Sequence, residues 1–593
     1  MGFIKPRLPE IDESTWAGKG RMDRIRELAP FWVEHGFGTQ RVIHVLYGVK
    51  CVLYVAGAVG LTSLTTPGLG GIGAIGDWWT EPIVFQKAVA YTILFEILGL
   101  GCGSGPLTLR ISPPIGGVLY WLRPGTVRLA PWPSRIPLTG GTTRTVGDVL
   151  LYAGVLVSTV WIVVAPPTGP IATPLVASDI GVIDGWRFAP LLVLLPLLGL
   201  RDKAIFLAAR PEHYLLTTAL FLFPVEQWLA AAQLGMLLLW WGAATSKLNR
   251  HFPFVVSIMI SNAPLHMSTW LKRRLYRRFP EDLRPSALSR LLAHGGTTIE
   301  YTVPLVLVLS PNRTVTLVAV AVMVLFHLHI LSTFPMGVPM EWNVFMIFST
   351  LFLFGAHGDI GPGQISSPWL VAILAAAAAV VVLGNLLPHR ISFLPAMRYY
   401  AGNWATSVWC FRKGAEARID SDIKKVAPSI RTQLASLYGE DGADLVIHIG
   451  HAWRAMHHHG RALNGLLPRA LDDIEAYDIQ EGEIIAGAVL GWNFGDGHLH
   501  DEQLLRAVQE RCRFAEGELR VIMLESQPIH RQRQHYRIVD AASGLVEEGH
   551  VAVVDMVGHQ PWLDASGTIP VTLITPVAQP AVAAEPVPEP GTP

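Results

Sequence analysis

Three ionisable side chains stand inside long apolar stretches of this sequence, where charged groups are rare. Lys247 ends one apolar run, Glu300 opens another, and His327 lies within the run that follows. An ionisable group in hydrocarbon is costly unless it faces a protein or water cavity. A lysine desolvated in such a cavity can act as a base or bind an anion, with the carboxylate and the imidazole as its polar partners. These three are therefore the candidate catalytic residues.

Each of them also has a purely structural interpretation. Lys247 can extend its ammonium from the helix end to the lipid headgroups, and Glu300 and His327 can join neighbouring helices by hydrogen bonds. His327 and His329 are about 200° apart around a helix. The two imidazoles should therefore not face one pocket, which makes them poor joint metal ligands. The sequence favours a single imidazole, that of His327, paired with Glu300, and it predicts no metal.

The elements that position these residues are transmembrane helices. Only 16% of the 593 residues are charged, against about 25% in soluble proteins, and the mean hydropathy is +0.38. Long apolar runs concentrate in residues 42–390, which form the predicted transmembrane domain. Within it, the stretch 213–245 is either one tilted helix or a hairpin that turns at Pro224. The fold class is mainly α, a polytopic bundle of about eight to ten spans. The candidate spans are 42–63, 84–103, 146–166, 188–209, 213–225, 227–245, 299–310, 314–333, 343–357 and 369–388.

The distribution of positive charge predicts how the bundle is oriented. The connection 104–145 holds five arginines and no acidic residue, and 246–298 holds nine Lys or Arg, whereas 64–83 and 358–368 hold none. With ten spans, both basic connections and both termini fall on one side, which the positive-inside rule makes cytoplasmic. We therefore expect a multi-pass plasma-membrane protein in contact with membrane lipids. The net charge of zero indicates no nucleic-acid partner.

The regions outside the bundle have their own predicted structure. Residues 1–41 form a cytoplasmic arm, 391–417 a connector with an interfacial helix at Leu394–Trp404, and 577–593 a tail that is disordered by composition. Residues 418–576 form a small cytoplasmic α+β domain, helical to about 475, which could bind a cytoplasmic protein partner. Its sheet is predicted from four apolar runs, two of which contain a hairpin of Tyr536–Val539 with Val551–Val554. The runs are Ile484–Leu490, Leu519–Leu524, His535–Val539 and His550–Met556.

Histidines are concentrated in this C-terminal domain. His448, His451 and His458 fall on one helical face at spacings of three and seven residues. With a carboxylate such as Asp496 they could ligate a metal, but no standard ligand spacing is met. A solvated or interfacial histidine face is the favoured interpretation.

The order of the intramembrane motifs resembles the HTTM-type membrane domain of vitamin K-dependent gamma-carboxylases, which is similar to that of lipase maturation factors. The resemblance covers about 220–360, and the whole chain resembles uncharacterised actinobacterial multi-pass proteins with a C-terminal extension. The motifs are Gly242-Ala-Ala-Thr-Ser-Lys247-Leu-Asn249, Glu300-Tyr-Thr-Val-Pro304 continuing to Ser310-Pro-Asn-Arg313, His327, Phe334-Pro, and Trp342-Asn343.

This resemblance implies a role for particular residues. In the carboxylases the lysine of the Lys-Leu motif deprotonates a reduced quinone, so Lys247 is the implied base and a reduced quinone the possible cofactor. Asn249, Trp342 and Asn343 are the motif residues expected to bind it. Nothing in this chain matches the large lumenal β-rich region of the carboxylases, so gamma-carboxylation itself is not expected.

Two functions from different classes follow from these observations. The first is an enzyme that acts on a lipid or an isoprenoid-quinone-like substrate by lysine-assisted acid/base chemistry. The second is a non-enzymatic membrane factor for envelope-lipid assembly or transport that docks a cytoplasmic partner. A proton-coupled carrier is less favoured, because the sequence has no inverted repeat of broken spans.

Overall fold

The chain is mostly helical, with one sheet near its C-terminus. The computed structural model describes residues 7–11, 15–16, 18–101, 117–133, 135–263, 268–333, 340–425, 428–560, 562 and 568–575. The predicted tail 577–593 and the Phe334-Pro motif therefore lie outside the described residues. The helices before residue 390 are α1 (Arg21–His35), α2 (Arg41–Thr65), α3 (Ile75–Trp78), α4 (Pro82–Ile97), α5 (Val118–Trp121), α6 (Val146–Val163), α7 (Ala189–Arg201), α8 (Lys203–Ala208), α9 (Leu216–Leu220), α10 (Val225–Ser246), α11 (Phe252–Asn262), α12 (Thr269–Arg274), α13 (Ala287–Leu309), α14 (Arg313–Thr333), α15 (Met340–Thr350) and α16 (Pro368–Leu386).

Six helices in the described part of the chain are long and apolar enough to cross a membrane: α2, α6, α10, α13, α14 and α16. They differ in how much protein surrounds them. In the most apolar 18-residue stretch of each helix, only 6% of α2 is buried inside the protein, against 72% of α10. Apolar side chains that no protein covers are suited to lipid contact, so α2 is peripheral and α10 is central. This confirms the predicted helical bundle.

The other predicted spans are shorter or broken helices. The 188–209 segment divides into α7 and α8 at Asp202, whose side chain caps α8 and pairs with buried Arg144. Residues 213–245 divide ahead of Pro224, which directly precedes α10, because helical backbone is disfavoured for the residue before a proline. A π-helical turn, Pro211–Leu215, precedes α9, and another, Leu351–Ala356, extends α15. The 299–310 span begins earlier than predicted, at Ala287.

The basic connection 246–298 has more structure than a loop. It contains the apolar helix α11, the basic helix α12 and a short antiparallel strand pair before α13. A second short pair lies between α6 and α7. The strands are β1 (Ile171–Ala172) with β2 (Ala177–Ser178), and β3 (Tyr276–Arg278) with β4 (Asp282–Pro285).

The C-terminal domain is an antiparallel sheet of six strands in the order β10-β9-β8-β7-β5-β6, with helices packed against it. Its strands are β5 (Thr406–Arg412), β6 (Tyr477–Glu481), β7 (Leu519–Leu524), β8 (Arg533–Asp540), β9 (Gly544–Ala552) and β10 (Val571–Thr575). Its helices are α17 (Ala417–Asp422), α18 (Ile430–Met456, interrupted at Gly439), α19 (His458–Ala470), α20 (Gly482–Leu490), α21 (Glu502–Cys512) and α22 (Val553–Val557). The predicted hairpin is present as β8 and β9, but its second strand is misplaced: Tyr536–Val539 pairs with residues 545–549, and Val553 and Val554 of the predicted strand Val551–Val554 begin α22. The prediction of a strand at Ile484–Leu490 is wrong, because this run forms α20.

The connector is not the surface helix predicted for Leu394–Trp404. Residues 391–405 form turns, and Met397 and Tyr400 have φ of 52° and 26°, which an α-helix does not allow. Trp404 and Arg398 are 1% exposed. The aromatic residues that suggested a membrane surface are instead enclosed between the bundle and the sheet. Strand β5 also starts within this connector, so the sheet begins before residue 418.

The basic segments and both terminal regions share one face of the bundle. Helix α1 packs on α18, where Arg21 reaches the ring of His451 at 2.7 Å. Tyr120 donates to the carbonyl of Val489, and Arg284 donates to that of Gly558, so both basic connections contact the C-terminal domain. These contacts bring the four regions together, while their position on one side of a membrane stays a prediction from the charges. Which side this is remains the prediction of the positive-inside rule.

Candidate functional site

Lys247 and Glu300 form an ion pair inside the bundle. Lys247 directly follows α10, and Glu300 lies midway along α13, which packs against α10. The ammonium donates to Oε2 of Glu300, and the two side chains are 10% and 4% exposed. The ammonium also lies 5.2 Å from the ring centroid of Phe252. Lys247 is therefore turned into the protein towards a carboxylate rather than towards the headgroups.

His327 belongs to a different hydrogen-bond network. The indole Nε1 of Trp240 donates to its Nε2 at 3.0 Å, and its Nδ1 lies 3.0 Å from Oδ1 of Asn343. An indole N–H can only donate, so Nε2 carries no proton and Nδ1 donates to the amide oxygen. Both ring nitrogens of a neutral imidazole are thereby used. The predicted pairing of His327 with Glu300 is wrong, since Glu300 pairs with Lys247.

These groups line one chamber of about 470 Å³, within the roughly 300–1,000 Å³ range of small-molecule sites. Its walls come from α10, α11, α13, α14 and α15 and are mostly aliphatic and aromatic. The predicted site residues in its lining are Lys247, Glu300, His327, Trp342 and Asn343. His329 also lines it, although His327 and His329 were expected to face apart. The chamber extends around α14, with His327 buried in its wall and His329 at its exposed edge.

Asn249 is the one predicted site residue outside the chamber lining. Its Oδ1 accepts hydrogen bonds from the backbone N–H groups of His251 and Phe252, at 2.8 and 3.1 Å. Its amide donates to the carbonyl of Ser246. These bonds hold the turn between α10 and α11, and so Asn249 helps to fix the position of Lys247.

The floor of the chamber includes residues that the sequence analysis did not identify, above all Arg210. Arg210 lies there with its guanidinium 5.2 to 5.4 Å from the rings of Trp342, Tyr399 and Phe494. It pairs with Glu212 at 2.8 Å, and both side chains are almost fully buried. Its φ of 51° is unusual for a residue with a side chain, and such strain concentrates at functional sites. The charged sequence Arg210-Pro-Glu212 within an apolar stretch was the available signal.

The chamber is thus built jointly by the bundle, the connector and the C-terminal domain, because Phe494 comes from the last of these. A family model described as "Transmembrane protein of unknown function (DUF3556)" matches residues 1–574. The chain belongs to this family. The DUF3556 match covers all three contributing regions, in agreement with a chamber that needs each of them. Searches of curated proteins and of solved structures found no match. The family match does not extend to an HTTM-type or carboxylase-like assignment.

A layer of buried histidines lies beside the chamber in this DUF3556 protein. His448 and His451 are each 6% exposed and His458 is 1% exposed, so the prediction of a solvated histidine face is wrong. The rings of His251 and His458 stack with centroids 3.5 Å apart. The hydroxyl of Tyr400, a chamber residue, lies 3.0 Å from Nε2 of His457. The layer therefore touches the chamber directly.

Burial governs the protonation of this layer. It lowers the pKa of His251 to about 3, and that of His500 likewise to about 3. Burial, and after it neighbouring positive charge, also lowers the pKa of His457 and His459 well below the usual value. Within the described ranges, no group of three or more His, Cys, Asp or Glu is placed to hold a metal ion. Asp496, the carboxylate considered for such a site, accepts from the backbone N–H of His498.

Proposed function

We propose that this protein is a membrane-embedded enzyme whose Lys247–Glu300 pair moves a proton to and from a lipid-soluble, quinone-like substrate bound in the chamber. The observation that carries the proposal is the contact between ammonium and carboxylate inside an apolar cavity. Desolvating two charges costs several kcal/mol per ion, and a hydrophobic pair of similar volume is often as stable or more so. A buried ion pair in a membrane is therefore by default a functional feature.

The chemistry follows from the positions of the two groups. When the proton moves from Nζ to Oε2, Lys247 becomes a neutral amine facing the chamber, and this amine can accept a proton from an acidic substrate hydroxyl. Glu300 then holds a proton that it can return. His327 supplies no base, because both of its nitrogens are engaged. It fixes Trp240 and Asn343 in the wall and so acts as a positioning residue.

The chamber also suits the reduced quinone implied by the HTTM resemblance. The flat aromatic groups of Trp342, Tyr399 and Phe252 line the same chamber as the ammonium and carboxylate, which can bond to ring hydroxyls, and Phe252 lies beside the ammonium. When bound, such a group would supply the acidic hydroxyl. Trp342 is itself held by a hydrogen bond from its Nε1 to Nδ1 of His213, at 3.1 Å. Trp342 and Asn343 are the residues proposed to contact it, and Asn249 acts only through the turn.

Comparison of cellular lipids tests the proposal. Cells lacking the protein are complemented with the wild type, with Lys247→Met, or with Lys87→Met as the matched control. Lys87 is also a buried lysine, but it bonds to Thr65 and is not in the chamber lining. Untargeted mass spectrometry of lipids and quinones is expected to show a species that accumulates with Lys247→Met and not with Lys87→Met. Full complementation by Lys247→Met, at normal membrane abundance, would refute the catalytic proposal.

A further inference from the structure

The chamber opens at the outer surface of the bundle, between α13 and α14. Leu291 and Leu292 line it and are also 69% and 43% exposed. Gly295, one turn further along α13, and His329 on α14 likewise line it and are exposed. A residue that faces both a cavity and the outside marks an opening. The neighbouring surface of α14 carries exposed Leu325, so this opening faces an apolar surround.

We propose that this opening admits a neutral amphiphile with a single chain, whose polar head lies at Lys247 and Glu300 while its chain passes out between α13 and α14. This inference rests on the proposed function, since it takes the ion pair as the site of the head. It adds the class of ligand, the direction in which the ligand lies and the route by which it enters.

The charges of the chamber select a neutral head. Both cations in the lining already have a carboxylate partner, Lys247 with Glu300 and Arg210 with Glu212. An anionic head would compete with these carboxylates, and a cationic head would face two cations in a medium of low dielectric. A hydroxyl or carbonyl head, in contrast, can bond to the pair without adding charge.

Two consecutive glycines, Gly295 and Gly296, leave the α13 side of the opening without side chains. A Cβ built on Gly295 would meet no atom within 4 Å, and one on Gly296 would lie 3.8 Å from the ring of Phe326 on α14. The space left open by these two missing side chains suits a hydrocarbon chain, which needs only van der Waals contact. From Leu292 to Glu300 is eight residues, or about 12 Å along the helix. A chain of this length or longer connects the ion pair to the membrane.

Photo-crosslinking of the full chain in lipid nanodiscs tests the route. The probe is hexadecanol with a diazirine in its chain, and the adducts are mapped by peptide mass spectrometry. We expect adducts on α13 and α14 beside the opening. Gly295→Trp should reduce them by about tenfold or more, because the indole fills the gap while tryptophan is a better helix former than glycine. Gly48→Trp is the matched control, since Gly48 lies exposed on α2 with nothing within 4 Å of an added Cβ.

Equal labelling of all lipid-facing helices, or labelling of α13 and α14 that Gly295→Trp leaves unchanged, would overturn the route. The same diazirine chain carrying a phosphate or a trimethylammonium head is expected to label this region much less, and equal labelling would overturn the neutral head. A failure of the proposed reaction can be told apart from a failure of the proposed entry route. If Lys247→Met leaves cellular lipids unchanged while labelling stays sensitive to Gly295→Trp, the reaction is refuted and the entry route stands.

Discussion

The buried histidine layer makes the stability of this protein sensitive to mild acid. Six buried histidines of this layer have folded-state pKa values below the usual value of about 6.5, in each case with burial as the main cause. They are His251, His451, His457, His458, His459 and His500. As pH falls through about 6.5, the unfolded chain binds protons at these positions and the folded protein does not, so stability is lost on the acid side.

The expected loss is large. Each such histidine contributes a slope of about 1.4 kcal/mol per pH unit once the unfolded form is protonated. Six of them give on the order of 8 kcal/mol per unit, comparable with the whole free energy of unfolding of a typical domain, about 5–15 kcal/mol. Between about pH 6.5 and about pH 5.5 the region around α18 and α19 should therefore open. Hydrogen–deuterium exchange of these helices in nanodiscs, together with thermal unfolding at each pH, measures the effect.

A single substitution isolates the cause. Neither ring nitrogen of His458 has a hydrogen-bond partner in the part of the chain that the structure describes. His458→Phe keeps a flat ring against His251 and removes one titrating group, so the slope should fall by about 1.4 kcal/mol per pH unit. His530→Gln is the control, because His530 is exposed and should leave the slope unchanged. The reasoning would be refuted if the amide protection factors of these helices stayed constant across this pH range. It would also be refuted if His458→Phe left the slope of stability against pH unaltered.

Three further predictions concern other contacts. Lys247→Met leaves the Glu300 carboxylate buried without its partner and should lower the free energy of unfolding by about 3–5 kcal/mol. Adding Glu300→Gln to this variant should recover most of the loss in detergent-driven unfolding. If the losses caused by the two substitutions alone simply add in the double variant, the pair does not couple them. Burial lowers the pKa of His498, but the charge of Glu525 outweighs it and raises this pKa overall. The pair therefore stabilises the fold below about pH 6.5, and its contribution declines as pH rises. His498→Gln should abolish this decline in stability at higher pH, and an unchanged pH–stability profile would contradict the prediction. A Cβ on Gly242 would lie 2.7 Å from the side chain of Met397 in the connector. Gly242→Val should therefore lower the free energy of unfolding by about 1–3 kcal/mol. A thermal midpoint equal to that of the wild type would show instead that the connector moves aside at no cost.

The sequence was most informative where one helix could be considered alone. Apolar length predicted the six long helices, and the cost of ionisable groups in hydrocarbon selected Lys247, Glu300 and His327, all of which line the chamber. Their pairing could not be predicted, because it depends on the rotation of each helix about its axis. Trp240 and Asn343 are instead turned towards His327 and occupy its two ring nitrogens, so neither is left for Glu300.

The errors concentrate where distant segments meet. The connector has the composition of an interfacial helix, yet the C-terminal domain covers it and holds Tyr400 in a left-handed conformation. The histidines of α18 and α19 follow a helical spacing that suits a solvated face, yet α1 covers His448 and His451. Phe494 closes the chamber from far along the chain, and no local pattern marks it. Local periodicity does not record which surface another part of the chain will cover.

The contribution of Phe494 to the chamber floor has a consequence for biogenesis, because this residue comes from the C-terminal domain. A ribosome releases the transmembrane helices first, and domains generally fold in the order of their synthesis. Until the stretch containing Phe494 has emerged and docked, Lys247 and Glu300 lie in a chamber whose floor is incomplete. A polypeptide that terminates before Phe494 is therefore expected to insert its helices with one side of the chamber uncovered, an exposed apolar surface of the kind that quality-control proteases recognise.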